Sequence, residues 1–174
     1  MLKKKGCGLM SLRNLNINVV PCYPVGDRNT GDIALTKIHT KFPVFEKENR
    51  KYIKELFFTL FIEGIQDKSI EIDDEEVFSF GTNYEIKMRL MELSTGRCMD
   101  LDKFETKEKF EKISKKIENI DVFRFTHICF FEDLDLPDDY TEGDFVIEIL
   151  VRKLSEFEET EYTVQTLYIL NVEQ

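Results

Sequence analysis

DFVIEILVR (144–152) and YTVQTLYILNV (162–172) are the stretches whose reading decides the fold. In the first, Phe145, Ile147, Ile149 and Val151 fall on alternate positions. In the second, Tyr162, Val164, Thr166, Tyr168, Leu170 and Val172 do the same. Side chains on a strand alternate between two faces, so each run can lay one face on a core. The connection between them, 155–161, is polar and glutamate-rich, which predicts a hairpin with a long exposed tip.

The same rhythm recurs upstream. Leu15, Ile17 and Val19 alternate with asparagines before Pro21 and Pro24. Gly26 to Asp32 is turn chemistry, a short strand is predicted over 33–39, and 41–50, with Pro43, reads as a connector. Tyr84, Ile86, Met88 and Leu90 alternate with Glu85, Lys87 and Arg89. In 122–131, Phe123, Phe125, His127, Cys129 and Phe131 share one face. The 52–62 segment fits both a helix and a buried strand; its run of Phe, Leu, Thr and Ile favours a strand over 55–65. A further short strand is predicted at 69–72.

One segment reads as helix. Phe110, Ile113, Ile117 and Ile120 recur every three or four residues, lysines fill the other positions, and Asp102 and Glu105 have capping-box spacing. This predicts an amphipathic helix over 103–120, with lysines facing solvent. The expected fold is therefore mainly β: an antiparallel β-sandwich, immunoglobulin-like or C2-like, of seven or eight strands with one inserted helix. A tail over 1–12 precedes a single domain over 13–174.

Composition narrows the partners. Of 174 residues, 34 are acidic and 24 basic, a net charge of −10 that argues against nucleic acid and against an anionic membrane surface. No transmembrane run of about 20 apolar residues is present, and the lysines at 3–5 are not followed by a signal-peptide core. A cytoplasmic protein is expected. Cys7, Cys22, Cys98 and Cys129 show no close ligand pairs and read as free thiols.

Catalytic signatures are missing: there is no nucleophile elbow, phosphate-binding loop, dinucleotide fingerprint or zinc-protease motif. Glu132, Asp133, Asp135, Asp138, Asp139, Glu142 and Asp144 place seven carboxylates within thirteen residues. Such a loop suits calcium, although the spacing is not that of an EF-hand, and a carboxylate pair could act on sugars. A solvated loop is the plainer reading. His127 and Cys129 share a face, but neighbours on one face of a strand stand about 7 Å apart, beyond hydrogen-bond reach. His39 has no obvious companion. The sequence thus nominates no catalytic, cofactor-binding or metal-ligating set.

The expected function is a non-enzymatic module that binds another protein, one with a basic surface, through its acidic loops or a sheet edge. A small-ligand or lipid carrier with an aromatic-lined cavity and a carboxylate- or metal-dependent enzyme are the alternatives.

Overall fold

The computed structural model describes residues 12–21, 23–26, 33–36, 42–69, 77–113, 119–136, 145–154, 161–170 and 172–173. These residues build twelve strands and no helix. In chain order they are β1 (Leu15–Val20), β2 (Tyr23–Gly26), β3 (Ile33–Thr36), β4 (Phe42–Lys47), β5 (Arg50–Asp67), β6 (Tyr84–Glu92), β7 (Cys98–Glu105), β8 (Glu111–Ile113), β9 (Ile120–Asp135), β10 (Phe145–Lys153), β11 (Thr163–Leu170) and β12 (Val172–Glu173).

They form two main sheets and a β2–β3 hairpin. The first runs β12-β4-β5-β9-β8, with β1 also paired to β5. The second runs β11-β10-β6-β7. Every pairing between these strands is antiparallel except the short β12–β4 contact, and an isolated bridge joins Arg13 to Val77 in parallel. Among the described residues, no helix is long and apolar enough to cross a membrane.

The spine is β5. It pairs β9 from Tyr52↔Asp135 to Asp67↔Ile120, and on its other side takes β4 at one end and β1 at the other. Its run of large apolar residues matches burial on both faces, since every residue from Leu56 to Leu60 is buried. Leu56, Phe58, Leu60 and Ile62 point inward and are fully buried. They meet Ile86, Met88, Ile147 and Ile149 of the second sheet in one core. The Phe58 ring lies edge-on to Tyr168 of β11, 5.9 Å between centroids. Glycine at position 64 has a packing reason: the buried Phe78 ring fills the space that any side chain there would need.

Four sequence expectations are corrected here. The helix over 103–120 is not found among the described residues: 103–105 complete β7, 107–109 turn, 111–113 form β8, and β9 begins at Ile120. Residues 114–118 lie outside the described set. The stripe of Phe110 and Ile113 has a tertiary use instead: Phe110 packs on Phe78 and edge-on to Phe125, and Ile113 pairs with Val122. Glu108 takes a left-handed backbone, with φ 61°, that a helix interior forbids. Tertiary contacts here override a pattern of good helix formers.

The second correction concerns β11. The sequence places Tyr162 and Val164 on the face of Thr166 and Tyr168. A bulge intervenes: Thr166 opposes Ile149 and Val164 opposes Leu150, so Gln165 is the extra residue. Tyr168 faces the core, whereas Tyr162 lies outside and bonds Glu85.

The strand count also exceeds seven or eight. The 41–50 connector contains β4, whose Phe42 is buried, and β7 and β8 replace the helix. The strand expected at 55–65 is present and longer, whereas the strand at 69–72 falls, apart from Ser69 in a turn, outside the described residues.

Candidate functional site

The sheets meet along two flanks. On one, β11 and β1 are stitched together by side chains that bond backbone. Gln165 accepts from the Leu12 N–H at 2.8 Å and donates to the carbonyls of Leu12 and Leu15. Thr166 donates to the Ile17 carbonyl at 2.9 Å. On the other flank, β7 and β9 form a seam without such stitching among the described residues. The chain crosses between sheets at 106–110, and β8 covers β9 only from Val122 to Arg124. From Phe125 to Asp135, no described strand pairs with β9 on the side away from β5.

Three chemically capable side chains converge at this seam. Asp102 comes from β7; His127 and Cys129 come from β9. His127 opposes Leu60 and Cys129 opposes Phe58, both inward-facing positions of β5, so both β9 side chains point between the sheets. Asp102 is aimed by a bulge. Met88 pairs with Asp102 and Arg89 with Asp100, which makes Leu101 the extra residue of β7. Asp100 therefore turns outward to Lys87, 2.8 Å away, while Asp102 turns inward beside the buried Met88 position. Strict alternation would have sent both aspartates to one face.

One oxygen, Asp102 Oδ2, joins the group. It lies 3.1 Å from His127 Nε2 and accepts the Cys129 thiol at 3.8 Å. The three potential ligand atoms all lie within 4.8 Å of one another. The His127 ring stacks on Phe104 at 3.7 Å between centroids, which fixes its plane. Phe104 in turn meets Phe125 edge-on, and Lys109 sits 4.7 Å over its ring. Burial, aided by the Asp102 charge, pushes the Cys129 thiol up to about 12. Cys129 is 2% exposed, whereas the side chains of His127 and Asp102 are 23% and 35% exposed. The cluster is closed below and open to water above.

The sequence expects about 7 Å between His127 and Cys129 along the strand; their ligand atoms come within 4.8 Å, and among the described residues no direct bond joins them. The two converge through a third residue on the other sheet. Neither distance along the strand nor any local motif reveals that partner.

Other sequence-selected residues lie elsewhere. Glu132, Asp133 and Asp135 belong to the exposed end of β9, where Asp135 bonds Arg50. That pairing holds the Asp135 carboxyl below its ordinary value. Asp138, Asp139, Glu142 and Asp144, like His39, Cys7 and Cys22, fall outside the described residues.

A second charged node sits on the outer face of the β11-β10-β6-β7 sheet. Glu85, on β6, is buried and bonds Arg152 at 2.7 Å, Tyr162, and Lys103 at 3.2 Å. Burial raises its carboxyl, but these partners together pull it below the usual range. Tyr162, desolvated and facing that carboxylate, is pushed up to about 12. Every member is satisfied by another, as expected of a cross-strand ladder that fastens β6, β7 and β10.

Beside the seam, a groove of about 580 Å³ lies where β8 leaves β9, lined by Lys109, Glu111, Lys112, Ile113, Arg124, Phe125 and Thr126. Above it Ile128 and Phe130 are half exposed on the outer face of β9.

No protein-family model matches this chain, and no curated protein does.

Proposed function

We propose that this chain is a non-enzymatic β-sandwich module that binds a partner protein by adding an extended segment of it to the open edge of β9. The observation that carries this reading is the edge itself. Eleven residues, Phe125 to Asp135, have no described strand on that side, and Ile128 and Phe130 stand half exposed along them. Unpaired strand edges with apolar side chains template the addition of another strand, and proteins normally cover or charge them. The groove by Phe125 and Thr126 begins where β8 stops, which is the path an added strand would continue along.

Charge selects the partner. Glu132 and Asp133 flank the far end of the edge, and the whole chain carries −10. Lys109, Lys112 and Arg124 line the groove at the near end, so basic residues of a partner belong at the far end. Like-with-like pairing of two copies is opposed by that charge; a segment with alternating apolar residues and lysines or arginines is favoured.

A displayed library of random linear peptides tests this. Selection on the purified chain is expected to enrich such alternating basic sequences. Their affinity should fall at least tenfold, about 1.4 kcal/mol, in the double variant Ile128→Lys, Phe130→Lys. The same peptides should bind undiminished to Leu167→Lys, Ile169→Lys, which alters exposed residues on the other sheet. Peptides that bind the β9 double variant as well as the parent would overturn the reading, as would a library that yields no binder.

A further inference from the structure

We propose that Asp102, His127 and Cys129 form a binding site for a zinc-class divalent cation that bridges the two sheets at the open seam. The donor set points to this class. Thiolate, imidazole and carboxylate together suit borderline-soft zinc, whereas calcium and magnesium require oxygen ligands and more of them.

The spacing fits as well. Tetrahedral zinc bonds of about 2.0 to 2.3 Å place neighbouring ligand atoms about 3.3 to 3.6 Å apart. Here Oδ2 of Asp102 lies 3.1 Å from Nε2 of His127 and 3.8 Å from Sγ of Cys129, and all three atoms fall within 4.8 Å.

The surroundings support the site. The bulge at Leu101 turns one aspartate of β7 inward and leaves its neighbour Asp100 outside. Bulges re-aim side chains in this way beside functional centres. Phe104 stacks on the imidazole and holds its plane. Exposure of His127 and Asp102 leaves an approach from solvent and room for a fourth ligand, water. On binding, the Cys129 thiol releases one proton and its sulfur lone pair forms the bond to the metal, with no change of oxidation state. Among the described residues, no other group of three such side chains converges.

The test is a titration of the metal-stripped full chain with Co²⁺, then with Zn²⁺. One Co²⁺ per chain is expected, with a thiolate-to-cobalt charge-transfer band that Zn²⁺ bleaches. Cys129→Ser should abolish the band, and Asp102→Asn and His127→Gln should each weaken binding at least about tenfold. Cys98→Ser, which alters an exposed thiol, should change nothing. If Cys129→Ser does not fold by circular dichroism, the other two variants decide, because they replace partly exposed groups with close isosteres. A chain that gives no band overturns the proposal. So does a band that survives in Cys129→Ser, and so does affinity unchanged in both Asp102→Asn and His127→Gln. None of these readouts depends on partner binding, so this proposal and the edge-binding one fail separately.

Discussion

The β1–β11 corner and the β7–β9 seam close the same two sheets in opposite ways. At the corner, an inserted residue, Gln165, spends its whole side chain on backbone groups of Leu12 and Leu15. At the seam, an inserted residue, Leu101, leaves its neighbour Asp102 aimed at two titratable side chains, with water on one side. Both flanks use a bulge. One satisfies main-chain groups; the other gathers the side chains of Asp102, His127 and Cys129. On the second flank the partly exposed Asp102 and His127 lie along the stretch Phe125 to Asp135 of β9, which no described strand pairs on the side away from β5.

That contrast can be broken or sharpened by measurement. The largest effect is expected beneath both flanks, at the β5 residue that pairs with Leu15 on one side and Phe123 on the other. Gly64→Ala forces a methyl into the Phe78 ring and should cost about 3 kcal/mol in urea unfolding, the upper end for overpacking. A neutral result would mean that Phe78 can swing aside, and that the sheets are less tightly packed than described.

Next comes the corner. Gln165→Ala strands the Leu12 amide and two carbonyls, and about 2 kcal/mol of destabilisation is expected. Asp102→Ala in metal-free protein should cost less than about 1 kcal/mol, because the group it leaves nearest, His127, reaches water. Equal costs for the two variants would erase the distinction between a stitched corner and a loosely held seam.

The smallest expected effect is a slope. Gln165 carries no charge, so the corner should hold at any pH, whereas the Glu85 node should not. Its carboxyl is held low in the folded chain, so its stabilisation is complete above the ordinary glutamate value of about 4.3 and is lost as pH falls through the folded value. Tyr162 behaves oppositely. Its contribution is complete below about 10 and is lost as pH rises toward its raised value of about 12. In Glu85→Gln the acid limb of the stability curve should become shallower, and the alkaline limb less so, because burial still raises Tyr162. Gln165→Ala should leave the shape of both limbs unchanged, and limbs unchanged in Glu85→Gln would place the pH sensitivity elsewhere.

Much of the fold could be read from residue order, because alternation is a local signal. The inward faces of β1, β6, β9 and β10 match the alternating sets, and Phe123, Phe125 and Cys129 are buried where the pattern puts them. What failed was non-local. The bulges at Leu101 and Gln165 shift parity without a glycine or proline to announce them. The 103–120 stripe imitates a helix because Phe110 serves an aromatic cluster formed by Phe78 and Phe125, which lie far apart in the chain. The candidate site needs Asp102 beside residues 25 and 27 positions later, across two sheets. No periodicity along a single strand encodes that meeting.

The double flanking of β5 carries one more consequence, for how the chain reaches this state. Its neighbours arrive from both ends: Leu15 meets Gly64, and Tyr52 waits for Asp135. During synthesis this long, apolar-rich strand therefore emerges well before the partner that covers one of its edges. Pairings this distant fold slowly and leave sticky intermediates, so the newborn polypeptide should depend on chaperones until β9 has left the ribosome.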